Sequence, residues 1–196
     1  MGNQLIVVEV GSSNIMKIYE DGILLKVIDT VWIGKNGVDE DIVEFDGKTP
    51  LGLFNLGVAF GMHDLDINYP YIRVLDNDYW VDDYKSYHYN YMVRLNEDIN
   101  DFSYPYIARE NVKSFKSAEH LIEFKKQYEY SVFIEFNCNE QINNGIGNNK
   151  GSAIFLHCLG DKGYTGGCVA VDRKDMEYII SYLKRDKNPQ ILIKRA

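Results

Sequence analysis

Cysteine is scarce in this sequence, and its three copies follow neither of the patterns that cysteine-built domains require. The chain has 196 residues, and its cysteines are Cys138, Cys158 and Cys168. The odd number argues against a disulfide framework, although a single Cys138–Cys158 bridge remains open. A zinc site formed by the three cysteines and His157 also remains open. However, the sequence contains no C-x-x-C pair, which structural zinc sites usually have.

Positive charge is also in short supply. The chain has 21 Lys and Arg residues against 29 Asp and Glu residues, which gives a net charge of −8. Because a protein that binds a phosphate backbone needs a basic face, we expect no nucleic-acid partner. No run of 18 apolar residues is present, so we expect no transmembrane helix. Residues 1–14 lack the basic start and the long apolar segment of a signal peptide.

Aromatic residues are abundant, with 15 Tyr and 9 Phe, and they favour β structure. The length is typical of one domain, so we expect residues 1–196 to form a single unit. An Asp21-Gly22 pair between apolar runs predicts a β-hairpin. Strands are predicted at residues 4–10, 14–19, 23–33, 51–56, 130–137 and 191–193, the last at a sheet edge.

Two helices are predicted among these strands. The first covers residues 112–128 with Ser117 as its N-cap, and the second covers residues 173–184 with Asp172 as its N-cap. An Asn- and Gly-rich loop is predicted over residues 138–150. The expected fold is therefore of the α+β class and rich in β structure.

Residues 60–106 form a long, polar and aromatic segment with little periodicity, including a Tyr104-Pro105-Tyr106 cluster. A structureless loop of this length is unusual unless it has a function, so we interpret it as the wall of a substrate groove. Trp80 and Asp83 are the candidate substrate-binding residues here, and Asp82 is a further carboxylate that an amine of a peptide could meet. The alternative is that these aromatic residues only pack the segment onto the sheet.

The most informative stretch is KGSAIFLHCLGDKGYTGGCVAV, residues 150–171. Its apolar segments, 153–156 and 169–171, predict two buried strands. The polar, Gly-rich loop between them starts after His157 and ends at Cys168. Both residues are therefore predicted to lie at the ends of neighbouring strands.

The chemistry of a nearby His and Cys is nucleophilic attack. A thiol attacks a carbonyl only as the thiolate, and a neighbouring imidazole can accept its proton. Because glycine leaves the backbone unobstructed, we predict that the amides of Gly167 and Cys168 bind an oxyanion. The residues alone also allow a second interpretation, in which Cys168 is a buried and inert side chain.

This stretch resembles the catalytic segment of the L,D-transpeptidase (YkuD-type) domain family, whose signature is a His, a loop and then [Ser/Thr]-His-Gly-Cys. His157 matches the leading His, Thr165 the Ser/Thr position and Cys168 the nucleophile. Gly166 replaces the second His of the signature, Ala170 replaces the Asn that often follows, and the loop is shorter than usual. The motif is similar to that of a branch of the family with a TGGC-type sequence.

Two upstream segments add to the resemblance. They are FDGKTPLG at residues 45–52 and WVDDYKSYHYN at residues 80–90. With the segment that contains Cys168, they span residues 46–171 in the order found in the family.

The resemblance implies roles for individual residues. Cys168 would carry the acyl group, and His157 would take and return protons, oriented by the backbone carbonyl of Cys158. Thr165, Tyr164 and Gly166 would contact substrate near the nucleophile. The resemblance also implies a mixed β-sandwich with two helices and a long aromatic loop, and no metal or organic cofactor.

The implied donor is a peptidoglycan stem tetrapeptide that loses D-alanine, and the implied location is outside the cytoplasm, at the cell wall. An amine acceptor from a second stem would make the protein a cross-linking L,D-transpeptidase. Water as acceptor would make it an L,D-carboxypeptidase. Two further alternatives remain, a cysteine hydrolase of another amide and a noncatalytic module that binds the cell wall.

Overall fold

The computed structural model describes residues 3–95, 107–110, 113–138 and 148–196. The predicted Tyr104-Pro105-Tyr106 cluster and most of the predicted loop at 138–150 lie outside the described residues. In chain order, the described strands are β1 (Gln4–Val10), β2 (Ile15–Glu20), β3 (Ile23–Ile28), β4 (Val31–Trp32), β5 (Val38–Asp39), β6 (Thr49–Pro50), β7 (Gly52–Gly61), β8 (Tyr71–Arg73), β9 (Asp78–Val81), β10 (Met92–Leu95), β11 (Ile107–Glu110), β12 (Ala118–His120), β13 (Tyr130–Ile134), β14 (Phe155–Cys158), β15 (Val169–Val171) and β16 (Gln190–Arg195).

Helical structure is limited in the described part of the chain. It consists of one α-helix, α1 (Arg173–Tyr182), and of 3-10 turns at Leu121–Phe124, Gln127–Glu129 and Arg185–Lys187. The predicted α+β class with a predominance of β structure is therefore confirmed.

The main sheet has the strand order β3-β2-β1-β16-β7-β13-β14-β15-β4, and β8 pairs with β7. The pairs β1–β16, β7–β8 and β14–β15 are parallel, so the sheet is mixed. Strand β7 lies between β16 and β13 in this sheet, since its residue Asn55 pairs with β16 and its residue Leu56 pairs with β13.

Two hydrophobic clusters lie on opposite faces of β13 and β14. The first contains Val132 and Leu156 together with side chains of β1, β2 and α1. The second contains Phe133 and Phe155. Since neighbouring residues of a strand point to opposite faces, both strands are buried on both sides, and all of their residues are buried.

A second, four-stranded sheet has the order β11-β10-β9-β12. Two of its strands, β9 and β10, come from the segment predicted as a long aromatic loop, part of which therefore forms strands. Aromatic side chains pack it against the main sheet. The ring centroid of Trp80 on β9 lies 4.5 Å from that of Phe133 and 4.8 Å from that of Phe155. This second sheet covers the face of the main sheet on which the candidate site lies.

The predicted hairpin is confirmed, since β2 and β3 pair around Asp21 and Gly22, which both have positive φ. Two other local predictions are wrong. In the segment predicted as the first helix, Ala118–His120 instead pairs with β9, because tertiary pairing outweighs helix propensity. The last strand, β16, lies between β1 and β7 and is not an edge strand.

The second predicted helix is confirmed with a shorter C-terminal end, since α1 ends at Tyr182. Asp172 occupies the N-cap position as predicted, but its side chain forms no capping hydrogen bond. The helix packs its buried residues, including Met176 and Ile180, against the first cluster.

Candidate active site

The candidate site lies at the ends of the parallel strands β14 and β15. His157 pairs with Ala170 in the register of these strands, and Cys168 directly precedes β15. Because paired residues point to the same face and residues two apart share a face, His157 and Cys168 lie on one side of the sheet. Both line a single cavity of about 460 Å³.

Thr165 fixes the backbone on which the cysteine is carried. Its hydroxyl donates to the Cys168 carbonyl at 2.6 Å and accepts from the Gly167 amide at 3.2 Å. The backbone amide of Thr165 donates to the Ile33 carbonyl at 2.9 Å, and the Thr165 carbonyl accepts from the Lys35 amide at 3.0 Å. The loop that ends at Cys168 is therefore held at a defined position, although residues 161–164 are exposed.

The thiol of Cys168 is buried and neutral. Its sulfur donates to the Ala153 carbonyl at 3.2 Å and accepts from the Phe155 amide at 3.3 Å. Burial raises the pKa of this thiol, and the nearby carboxylate of Glu119 raises it further. A base and a change of surroundings are therefore needed before the thiolate forms.

His157 lines the same cavity, and the backbone holds its ring. Its Nδ1 donates to the carbonyl oxygen of Cys158 at 2.7 Å, which leaves Nε2 as the proton acceptor. Burial lowers the pKa of the imidazole to about 4, and the bond to the carbonyl opposes this shift. The ring is thus neutral at neutral pH. The edge of the Tyr128 ring packs against it at 5.5 Å.

Four carboxyl groups line the cavity, and we call the three that are partly buried, Glu44, Asp82 and Glu119, the acidic wall; the fourth, Asp161, is exposed. The hydroxyl of Tyr89 donates to Glu44, and that of Tyr128 donates to Glu119. Desolvation raises the pKa of all three groups, to about 7 for Glu119. Their charges also act on one another, since Asp82 raises the pKa of both glutamates.

Several residues predicted from the sequence meet at this cavity. Tyr164, Thr165, Gly166 and Gly167 all line it, and Tyr164 is 46% exposed. The Cys158 side chain instead points to the opposite face, where its sulfur lies 3.7 Å from the Tyr130 carbonyl. Only its backbone carbonyl reaches the site.

The amide of Gly167 is already engaged by Thr165. It could bind an oxyanion, as predicted, only by exchanging that hydrogen bond. Position 167 favours glycine for a separate reason. A Cβ there would lie 2.9 Å from the Lys48 carbonyl oxygen, and the residue has a φ of +153°.

The structure corrects the two predicted substrate contacts on the aromatic segment. Trp80 is fully buried, and its Nε1 donates to Asn90 at 3.0 Å, so it supports the site from behind. The Asp83 carboxylate accepts hydrogen bonds from the Lys85 and Lys116 amides. Its neighbour Asp82, rather than Asp83, lines the cavity.

Asn90 also helps to build the site, although it is not among the residues predicted from the sequence. Its Oδ1 also accepts from the Ala153 amide at 3.0 Å, and Ala153 is held at a positive φ of 54°. The Ala153 carbonyl is the acceptor of the Cys168 thiol. Asn90 belongs to the segment WVDDYKSYHYN, so the sequence did contain a signal for it.

Glu44, Glu119, Tyr128 and Ser152 were also overlooked. Glu119 and Tyr128 lie in the segment with a helical pattern, which gave no reason to place them beside a cysteine. Ser152 lies in the stretch 150–171 and lines the cavity.

The described residues contain no group of three or more His, Cys, Asp or Glu side chains able to hold a metal ion. Their geometry therefore does not support the zinc site that the sequence left open. Cys158 is a free thiol, so it does not form the bridge to Cys138 that the sequence left open.

Comparison with known families decides the assignment. The model of the YkuD family, the L,D-transpeptidase catalytic domain, matches residues 3–192. The chain belongs to this family. Residues 3–192 are therefore those of an L,D-transpeptidase-type catalytic domain.

Other comparisons are more distant. No curated protein matches the chain. The helical cell shape determining protein Pgp2 from Campylobacter jejuni is 13% identical, with a TM-score of 0.49, over 99% of this chain and 48% of that one. The L,D-transpeptidase (residues 123–326) from Xylanimonas cellulosilytica is 13% identical, with a TM-score of 0.36, over 98% and 60%.

This YkuD chain therefore spans about half the length of the Pgp2 structure. Within the ranges that the structure describes, no helix has both the length and the apolar character to cross a membrane.

Proposed function

We propose that this YkuD domain is an L,D-transpeptidase that cross-links peptidoglycan stem peptides through an acyl-enzyme on Cys168. The observation that carries the proposal is the shared cavity of Cys168 and His157, with His157 Nδ1 bound to the Cys158 carbonyl. This bond fixes the tautomer in which Nε2 can accept the thiol proton. The proposal treats residues 1–196 as one catalytic unit.

The acylation step follows from this arrangement. The imidazole of His157 accepts the thiol proton, and the sulfur attacks the carbonyl carbon of the L,D bond. The amide of Cys168, joined by that of Gly167 after exchange from Thr165, stabilises the oxyanion. The C–N bond then breaks, and D-alanine leaves with the proton that His157 returns.

Transfer to the acceptor reverses these roles. The amine of a second stem attacks the thioester carbonyl and loses a proton to His157. The C–S bond breaks, and the proton returns to the sulfur as the cross-linked product leaves. Water in place of the amine would yield the tripeptide, which is the carboxypeptidase outcome.

We also place the chain in the branch of the family with a TGGC-type motif. Gly166 stands where the other branch has a His, and a Cβ at Gly166 would meet no atom within 4 Å. The position is open towards the cavity that it lines. The proposal therefore assigns all proton transfers to His157.

The test is mass spectrometry of the protein incubated with a disaccharide-tetrapeptide, with and without an amine acceptor. We expect a cross-linked dimer with the wild type and with Cys158→Ala, which keeps the orienting carbonyl. We expect no product with Cys168→Ala. Tripeptide alone would identify a carboxypeptidase, and dimer formation by Cys168→Ala would overturn the proposed nucleophile.

A further inference from the structure

The segment FDGKTPLG, residues 45–52, contains a buried threonine that does not line the catalytic cavity. Thr49 is 0% exposed. It belongs to β6, which pairs with β5 in a small two-stranded sheet apart from the main one. Because a buried hydroxyl is normally hydrogen-bonded, its partners show what this segment holds in place.

The hydroxyl of Thr49 reaches the backbone of the nucleophile. It donates to the Cys168 carbonyl at 3.3 Å and accepts from the Gly34 amide at 2.8 Å. A hydroxyl has a single proton to donate, so the one donor of this side chain is committed to Cys168. The hydroxyl thus ties together three segments that are separate in the chain.

The Cys168 carbonyl accepts from two threonine hydroxyls at once. Thr165 donates to it at 2.6 Å, and Thr49 donates to it at 3.3 Å. Since a carbonyl oxygen has two lone pairs, both bonds can form together. The carbonyl carbon, the amide nitrogen and the Cβ that carries the sulfur are all attached to the same Cα. Fixing the carbonyl therefore restricts the directions of the amide N–H and of the thiol.

The two hydroxyls differ in their other partner. Thr165 also accepts from the Gly167 amide at 3.2 Å, and the proposed acylation step exchanges this bond for the oxyanion. Thr49 accepts from Gly34 instead. Thr49 can therefore keep its hold on the Cys168 carbonyl while Thr165 loses one of its partners.

The main chain holds Thr49 in its place. Its amide donates to the Gly37 carbonyl at 2.9 Å, and the Asn36 amide donates to the Gly47 carbonyl at 3.0 Å. The turn before β6 is thus bonded to the turn that follows Gly34. The side chain of Thr49 projects from a fixed backbone towards Cys168.

We propose that Thr49 is a positioning residue for the nucleophile: by holding the Cys168 carbonyl, its hydroxyl keeps the Cys168 amide aimed at the oxyanion that forms when the thiol attacks. The inference rests on the proposed function in taking Cys168 as the nucleophile and its amide as an oxyanion donor. It gives the segment 45–52 a part in catalysis without contact to substrate.

Two small reagents separate this role from a general effect on the thiol. With p-nitrophenyl acetate, the thiol proton passes to His157, the sulfur attacks the acetyl carbonyl, and the oxyanion collapses to a thioester as p-nitrophenolate leaves. With iodoacetamide, the same sulfur displaces iodide in one step, without an oxyanion. Both reactions need the thiolate, so the ratio of their rates reports stabilisation of the oxyanion.

The test follows both reactions in the full chain, by mass spectrometry of the peptide that contains Cys168. Thr49→Val keeps the shape of the side chain and removes the hydroxyl. We expect it to slow acetylation roughly 10- to 100-fold, as a misplaced oxyanion donor does, with little change in alkylation. Thr49→Ser keeps the hydroxyl and should restore most of the acetylation rate. Thr30→Val, the same substitution at an exposed position, is the matched control.

A purely structural role for Thr49 predicts a different result, in which both reactions change together. Equal effects on acetylation and alkylation, or acetylation as slow in Thr49→Ser as in Thr49→Val, would overturn the inference. If Thr49→Val does not fold, Thr49→Ala gives the same comparison, because it also removes the hydroxyl.

The two proposals can fail separately. A selective loss of acetylation in Thr49→Val, in a protein that forms no cross-link from stem peptides, would preserve the role of Thr49 and reject the transpeptidase function. Cross-linking by the wild type, with an unchanged ratio of rates in Thr49→Val, would do the reverse. A wild-type Cys168 that is not acetylated at all would contradict both.

Discussion

The Nδ1 atom of His157 donates a 2.7 Å hydrogen bond to the carbonyl oxygen of Cys158, the next residue in the chain. A backbone carbonyl here takes the position that an Asp side chain has in many triads. It fixes the tautomer and the ring plane without adding a negative charge beside the thiol. The resting pair of His157 and Cys168 is therefore neutral.

This geometry separates the roles of two adjacent residues. We expect His157→Gln to reduce the acyl-transfer rate by about 10²- to 10⁴-fold, the usual range for loss of a general base. Cys158→Ala keeps the carbonyl and should stay close to the wild-type rate. Rates measured with a stem-peptide donor check both, and a large loss in Cys158→Ala would show that its thiol takes part.

Adjacent glycines of the motif should respond differently to alanine. At Gly167, a Cβ would lie 2.9 Å from the Lys48 carbonyl oxygen, at a φ of +153°. We expect Gly167→Ala to lower the free energy of unfolding by about 1–3 kcal/mol. Gly166→Ala faces open space and should be close to neutral. Urea denaturation of both variants measures the difference, and equal losses would contradict the steric explanation.

Thr165 should matter through its hydroxyl. Thr165→Ala removes the bonds to the Cys168 carbonyl and the Gly167 amide, and each is worth about 1 kcal/mol. Thr165→Ser retains both donors and acceptors. We expect the alanine variant to lose stability and acyl-transfer rate together, whereas the serine variant keeps most of each. If serine and alanine behave alike in denaturation and rate assays, the methyl group and not the hydroxyl is important.

The carboxyl of Glu119 should make the free energy of unfolding depend on pH. Its pKa is raised to about 7 by burial, whereas an unfolded Glu ionises near pH 4.3. Between these values the folded state holds a proton that the unfolded state has lost, so this group makes the protein less stable as pH rises. Glu119→Gln lacks this titration.

We therefore expect Glu119→Gln to gain stability relative to the wild type between pH 5 and pH 8, by about 1–3 kcal/mol. Urea denaturation at several pH values measures the difference. Glu177→Gln, the same substitution at an exposed position, is the matched control. A constant difference for Glu119→Gln would mean that its carboxyl is ionised throughout.

The sequence predicts those parts of the fold that depend on local chemistry. The hairpin at Asp21 and Gly22 follows from two residues that tolerate positive φ. The two buried strands that carry His157 and lead on from Cys168 are also predicted from their apolar runs, whereas their parallel pairing, which brings the two residues to one face, is visible only in the structure. By contrast, β12 lies in a segment with a helical pattern, and its pairing with β9 is visible only in three dimensions.

The acidic wall could not be predicted for the same reason. Glu44, Asp82 and Glu119 come from distant parts of the chain and line one cavity. The second sheet positions Glu119 on β12 and Asp82 directly after β9, whereas Glu44 lies between β5 and β6. Trp80 was assigned to a substrate groove because aromatic residues serve both recognition and packing. Only its complete burial distinguishes the two roles.

The central claim is that Cys168 carries the acyl group. Carbapenems resemble the acyl donor, so the most direct measurement is intact-mass and peptide analysis after incubation with a carbapenem. We expect one covalent adduct, on Cys168, that is lost in Cys168→Ser and retained in Cys158→Ser and Cys138→Ser. An adduct on Cys158 or Cys138, or one that survives in Cys168→Ser, would contradict the account.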